Sequence, residues 1–186
     1  MAETKNIMIV GVGGQGTLLT SRILGGITTA AGYDVKLSEV HGMSQRGGDV
    51  QSNLRISSDP ISSDLIPLGK ADLIISLEPM EAMRYLPYLK KDGWIITNTA
   101  PFINIPNYPE LQELLDSIKA IDHHVSLDVD AIAKEVASPR AANIVLLGAA
   151  SPFLGIEVEK IEEGIRNVFG RKGEAIVEMN LKAFRA

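Results

Sequence analysis

The sequence predicts a single α/β domain: a Rossmann-like, doubly wound, mostly parallel sheet with helices on both faces. Three observations carry the prediction. Apolar runs of strand length alternate with stretches of helical spacing along the 186 residues, the pattern of strands joined by helical crossovers. Ile7-Met8-Ile9-Val10 and Leu73-Ile74-Ile75 are continuously apolar, as strands covered on both faces are. Gly11-Val12-Gly13-Gly14-Gln15-Gly16 stands between the first run and the first helical pattern, where such a fold places a tight strand-to-helix turn. The first strand should therefore lie near the sheet centre, with the functional loops at the C-terminal edge.

Taken in order, residues 5–10 form the first strand. Residues 17–31 form a helix through Leu18, Leu19, Ile23, Leu24 and Ile27, closed by Gly32 as a C-terminal cap. Residues 33–40 form the second strand and complete a βαβ unit. After the polar run 41–48, residues 50–56 alternate apolar and polar, the mark of a half-buried strand. Residues 57–69, rich in Ser, Asp and Pro, read as a loop with a short helical turn, and 71–77 as a central strand. Glu78-Pro79 opens a helix running to about Lys91, since proline suits the first turn and an acid suits that end of the dipole. Asp92-Gly93 turns into a strand at 94–98. Residues 99–109 carry three prolines and are irregular. Helices at 110–120 and 129–137 flank a last strand at 123–128. Ser138-Pro139 opens a helix rich in small residues, as N-cap and first position. Two more helices follow at 158–169 and 173–184. No internal repeat, low-complexity tract or linker interrupts the series.

Composition excludes several classes. The net charge of −5 supplies no broad basic field for nucleic acid or anionic lipid. There is no cysteine, so this chain holds no disulfide, thiol nucleophile or thiolate-ligated cluster. The three histidines without cysteine make no structural zinc site, and no metal site is assigned. His123 and His124 are neighbours on a predicted strand and point to opposite faces. No apolar stretch is long enough to span a bilayer, and residues 1–6 lack a signal-peptide pattern, so a cytoplasmic location is expected.

Two glycine-rich segments carry the chemistry. In the first, Gly11 suits a tight turn, Gly13 lets a phosphate approach the backbone, and Gly16 lets the helix pack close to the strand. The N–H groups of residues 14–17 then suit an anion, with Gln15 and Thr17 adding side-chain hydrogen bonds. The alternative is that these glycines only make the turn compact. A dinucleotide site also expects an acid near the end of the second strand. Asp34 is at the wrong end, and Glu39 runs at once into His41 and a polar loop, which tells against an NAD or FAD site. The second segment is His41-Gly42-Met43-Ser44-Gln45-Arg46-Gly47-Gly48, about thirty residues on. That separation suits a second crossover loop lying beside the first. Arg46 can grip a carboxylate or phosphate with its two-pronged guanidinium, or tie the loop to Asp49 or Glu39. His41 can exchange a proton near neutral pH or anchor the loop, and Met43 offers an adaptable apolar contact or a core side chain. No catalytic residue is assigned. Glu78 stands at a strand's C-terminal end, where sites gather, or serves as a first-turn dipole complement; Lys90-Lys91 reads as a solvated helix end, and Glu157, Glu159, Glu162 and Glu163 as an exposed helix face.

Together, Gly11–Gly16, His41–Gly48 and the late segment Asn143-Ile144-Val145-Leu146-Leu147-Gly148-Ala149 resemble the gamma-type subunit of 2-oxoacid:ferredoxin oxidoreductases. The branch most similar is the beta subunit of indolepyruvate:ferredoxin oxidoreductase. Sister branches carry a Ser-Tyr-Gly style loop where this chain has His41-Gly42-Met43-Ser44, and share Arg46-Gly47-Gly48. The resemblance implies that residues 1–186 are one pyruvate/ketoisovalerate oxidoreductase gamma-type domain. It implies a non-cluster subunit of an enzyme that oxidatively decarboxylates a 2-oxoacid, an aryl pyruvate in this branch, to the acyl-CoA while reducing ferredoxin. Thiamine diphosphate, Mg2+ and the iron–sulfur clusters would belong to a large partner subunit, with coenzyme A as a substrate and no cofactor held tightly here. On this reading the chain is inactive alone, and it can pair with a second copy when isolated. Gly11, Gly13, Gly14, Gln15, Gly16 and Thr17 would meet an anion or a coenzyme A moiety. His41, Met43, Ser44, Gln45, Arg46, Gly47 and Gly48 would face the partner's active site. The rival expectations are a free-standing NAD- or FAD-dependent oxidoreductase and a scaffold that binds nothing.

Overall fold

A computed structural model describes residues 4–42 and 47–186. Six strands form one sheet in the order β2-β3-β1-β4-β5-β6. They are β1 (Lys5–Val12), β2 (Asp34–His41), β3 (Asp49–Ser57), β4 (Ala71–Ser76), β5 (Leu89–Asn98) and β6 (His124–Leu127). Strands β1, β4, β5 and β6 run parallel to one another, whereas β3 is antiparallel to both β1 and β2. The first strand is central and the sheet mostly parallel, as the sequence predicts.

The predicted βαβ unit is different in detail. β2 runs parallel to β1 but does not neighbour it, because β3 lies between them along the whole length of both, from Lys5↔Ile56 to Val12↔Asp49 and from Asp34↔Ser57 to His41↔Val50. β2 and β3 are therefore consecutive antiparallel neighbours, a hairpin pair where the sequence suggested a crossover. β3 is also more than half buried: Ser52, Asn53 and Leu54 are all fully enclosed. Its polar face is covered by residues 57–70, which Arg55 fastens by donating to the Ser63 carbonyl at 2.8 Å, while Asn53 accepts from the Ile66 amide at 3.3 Å.

The described residues also form seven α-helices: α1 (Thr17–Ala30), α2 (Pro79–Arg84), α3 (Leu111–Lys119), α4 (Val129–Val136), α5 (Ala142–Leu154), α6 (Val158–Phe169) and α7 (Glu174–Phe184). The helix expected up to Lys91 stops at Arg84. Pro87 cannot donate the next helical hydrogen bond and disfavours helical backbone at Leu86, so a 3-10 turn over Leu86–Tyr88 leads straight into β5. Lys90 is then no solvated helix end. It lies in β5 with its ammonium 2.6 Å from Asp72, and that hydrogen-bonded carboxylate raises its pKa. Gly93 is part of β5 too, where the register with β4 shifts, and a Cβ there would lie 2.9 Å from the Ala71 carbonyl oxygen. Ser138-Pro139 opens a 3-10 turn over Pro139–Ala141 before α5 begins. Among the described residues no helix is long and apolar enough to cross a membrane.

The two cores follow strand alternation. On one face Ile7, Ile9, Leu54, Leu73 and Ile75 meet α1, α4, α5, α6 and α7. On the other, Met8, Val10 and Ile74 meet Ile66, Ala82, Tyr85 and Ile118. α5 is apolar nearly all round because α7 crosses it closely: at Gly148 a Cβ would fall 2.1 Å from the Phe184 carbonyl oxygen.

Candidate functional site

β1 ends at Val12, but its pairing continues into the glycine-rich turn. The Gly13 amide donates to the Gly48 carbonyl at 2.8 Å, and the Gly47 amide to the Gly13 carbonyl at 3.4 Å. The two glycine-rich segments are thus bonded to each other through the extended β1–β3 ladder. Within the turn the left-handed residues are Gly14 and Gly16, with φ of +106° and +97°. Gly11, expected to make the tight turn, is a strand residue. What it provides is room, since a Cβ there would lie 2.8 Å from the Gln15 amide oxygen. That oxygen accepts from the Val12 amide at 2.7 Å, and the Gln15 amide nitrogen donates to the Leu77 carbonyl at 3.2 Å. Gln15 laces the ends of β1 and β4 together while lining the cleft described below, and Thr17 is buried.

Gly16 is the N-terminal flank of α1, and a Cβ on it would meet the Asn143 amide of α5 at 2.8 Å. The late helical segment therefore packs directly on the first glycine-rich turn. Between them opens a cleft of about 780 Å³ at the C-terminal edge of β1, β4 and β5, lined by Gly14, Gln15, Asn98, Phe102, Arg140 and Asn143 among others. α1 and α5 both begin there without a side-chain cap and without an acid in the first turn. The positive ends of two helix dipoles and the exposed Arg140 thus face one space, which favours an anion at that end, while Asp130 puts a carboxylate on the opposite wall. Asn98 fixes the far wall. Its amide donates to Asp130 at 2.8 Å, and its oxygen accepts from the Ala100 amide at 3.1 Å and the Val129 amide at 3.2 Å.

Residues 99–109 run from this wall toward the hairpin tip. The sequence gives them no role beyond irregularity, and gives Glu78 either a place among site residues at a strand end or a dipole role. Glu78 is fully buried. One carboxylate oxygen caps α2 by accepting from the Glu81 amide at 3.0 Å. The other accepts from the Phe102 amide at 3.2 Å and from the Tyr108 hydroxyl. Burial, aided by the Glu78 carboxylate, pushes the Tyr108 hydroxyl above the usual tyrosine range, so it stays a donor. Between these two anchors, the Asn104 side-chain amide donates to the Gly47 carbonyl. Tyr85, at the end of α2, donates to Asp49 at 3.0 Å and secures the other side of the same hairpin end. Burial raises the pKa of Glu81, with the Arg84 guanidinium opposing it. The Glu78-Pro79 pair at a strand end was the one signal in the sequence for this cluster; nothing local marked Asn104 or Tyr108.

His41 is exposed, and its Nδ1 donates to the Gly42 carbonyl at 2.8 Å in the tautomer protonated there. Met43, Ser44, Gln45 and Arg46 lie outside the described residues. His123 stacks on Trp94 at 5.0 Å, while His124 bonds to the Ile121 carbonyl. Among the described residues no group of three His, Asp or Glu side chains could hold a metal. Glu39 lies on β2, two strand spacings or about 10 Å from β1 across the sheet. It cannot take the place of the ribose-binding acid, which a dinucleotide fold carries on the strand beside β1. Of the four glutamates expected on an exposed face, Glu162 instead forms a two-pronged pair with Arg185, both contacts at 2.6 Å.

Comparison with known proteins agrees with this architecture. The family model described as pyruvate ferredoxin/flavodoxin oxidoreductase matches residues 6–186. The indolepyruvate oxidoreductase subunit IorB of Pyrococcus horikoshii is 38% identical over 189 residues, covering 96% of this chain and 92% of the relative. The gamma subunit of a keto/oxoacid ferredoxin oxidoreductase from Geobacter sulfurreducens superposes with a TM-score of 0.72 at 26% identity, covering 97% of this chain and 94% of that one. A 2-oxoglutarate:ferredoxin oxidoreductase from Magnetococcus marinus shares the fold, with a TM-score of 0.76 at 21% identity over 99% of this chain and 30% of its own length. The chain belongs to the pyruvate ferredoxin/flavodoxin oxidoreductase family.

Proposed function

We propose that this chain is the non-cluster subunit of an indolepyruvate-type 2-oxoacid:ferredoxin oxidoreductase and that its cleft receives the phosphates of coenzyme A. The observation that supports this most is the meeting of all three family segments at one sheet edge. Gly13 bonds to Gly48, and Gly16 packs on Asn143, beside a space into which two helix N-termini and Arg140 converge. Phosphates suit such a place because backbone N–H groups, helix dipoles and a guanidinium all favour negative charge.

The residues present support this division of labour. With no cysteine, the chain has no thiolate to ligate an iron–sulfur cluster, so electron transfer to ferredoxin belongs to a partner. The partner would hold thiamine diphosphate and Mg2+, which supply the carbanion chemistry of 2-oxoacid decarboxylation. This chain's residues bind and orient. Arg140 and the starts of α1 and α5 hold the anionic end of the thiol substrate, and residues 41–48 face the partner.

The test has two arms. Calorimetry on the isolated chain should show coenzyme A binding that weakens about tenfold in Arg140→Ala, the loss of one charge-assisted contact. Co-expression with the thiamine-dependent subunit should yield a stable complex that reduces viologen dye with indolepyruvate and coenzyme A, while either chain alone does not. Turnover by the isolated chain would overturn the division of labour, and failure to associate would overturn the subunit assignment.

A further inference from the structure

The 99–109 segment touches both halves of the site. Ala100, Pro101 and Phe102 line the cleft, and two residues further on Asn104 reaches Gly47 at the hairpin end. One buried side chain holds the segment on either side of Asn104, since Glu78 accepts from the Phe102 amide and from the Tyr108 hydroxyl. Glu78 is itself immobilised: it is fully buried, caps α2, and its carbonyl accepts from the Ser76 hydroxyl at 2.6 Å. A carboxylate is the residue type for this task. It offers two oxygens with several acceptor positions and no donor, and here three donors from two separate segments converge on it.

We infer that Glu78 is a positioning residue whose buried carboxylate, acting through residues 99–109, sets the cleft wall and the Gly47–Gly48 end of the hairpin together. It is fully buried and does not line the cleft. Its effect divides at Asn104: loosening Phe102 and Tyr108 disturbs the wall and the hairpin, whereas removing the Asn104 amide disturbs the hairpin alone. The inference rests on the proposed use of the cleft for its binding readout, and on the geometry alone for the rest.

Hydrogen exchange and calorimetry on the full chain test it with Tyr108→Phe, Glu78→Gln and Asn104→Ala. Tyr108→Phe and Glu78→Gln should speed exchange at the Phe102, Gly13 and Gly47 amides. They should also weaken coenzyme A binding about fivefold, the equivalent of one hydrogen bond. Asn104→Ala should speed exchange at Gly13 and Gly47 only and leave coenzyme A affinity unchanged. In the assembled complex the same split should appear as a raised KM for coenzyme A in Tyr108→Phe and a lowered kcat with unchanged KM in Asn104→Ala. Unchanged exchange at Phe102 in both Tyr108→Phe and Glu78→Gln would overturn the inference. So would a uniform rise across all six strands, which would mark Glu78 as a general stability residue. If the wild-type chain fails to bind coenzyme A while the exchange pattern holds, the reading of the cleft falls and the positioning role stands.

Discussion

On one face of the sheet, α1, α5, α6 and α7 close over Ile7, Ile9, Leu54 and Ile75 with apolar side chains and two close glycine contacts, Gly148 on Phe184 and Gly164 on Ile27. On the other face, α2, α3 and residues 57–70 cover Met8, Val10 and Ile74, but polar side chains do much of the fastening. Glu78 holds residues 102 and 108, Tyr85 holds Asp49, and Arg55 and Asn53 hold residues 63 and 66. The first face depends on volume, and many side chains share the load. The second depends on single partners, so each loss is local. The cleft wall and the hairpin end are both secured from the second face.

Substitutions should separate the two kinds of fastening. The largest effect should come from Gly148→Ala, because the added methyl meets a backbone carbonyl that cannot rotate away, at 2.1 Å. Destabilisation of about 3 kcal/mol is expected in urea unfolding, at the upper end for overpacking. Gly164→Ala meets the flexible end of Ile27 at 2.5 Å instead and should cost about 1 kcal/mol. Similar losses in the two variants would show that this face yields more readily than its packing implies. Next comes Glu78→Ala, which strands the Phe102 amide, the Tyr108 hydroxyl and the Glu81 amide; a loss of about 2 kcal/mol follows from leaving buried donors unpaired. Tyr85→Phe removes only the bond to Asp49 and should cost about 1 kcal/mol, with faster exchange confined to the start of β3.

The smallest effect concerns the rim of the apolar face. The Arg185 guanidinium, bonded to Glu162 through both oxygens, holds that carboxyl below its usual range. A carboxyl with a lowered folded pKa contributes stability that is complete above its ordinary value and is lost as pH falls through the lowered one. The wild type should therefore exceed Arg185→Ala slightly at pH 7, and the gap should close in acid. Thermal unfolding at the two pH values reads the difference, and a gap that widened in acid would reverse the sign assigned here.

The same contrast governs what the chain made legible. The apolar face is written in periodicity: Leu18, Ile23, Leu24 and Ile27 announce α1, and the small residues of α5 announce close packing. The continuous runs at Ile7–Val10 and Leu73–Ile75 placed two central strands correctly. The polar face is written in partners far apart in sequence. No window around Glu78 contains Tyr108, and no window around Gly47 contains Asn104. The glycine roles were misassigned for a related reason. Gly11 looks like a turn residue locally, but what requires it is the Gln15 side chain folding back over it. β3 misled the reading most, because its alternation is that of a half-exposed strand while residues 57–70 cover its polar side.

That inserted strand has a consequence for how such a protein can change. A crossover loop is part of the wiring of a sheet, and altering its length shifts the elements it joins. Because β3 returns alongside β2, the two strands form a hairpin whose legs are locked in register from Asp34↔Ser57 to His41↔Val50. The tip can be lengthened, shortened or rewritten while the legs stay paired. The molecule thus separates the part that could adapt to a new partner or substrate from the part that must fold, and new specificities could be tried there without renegotiating the scaffold.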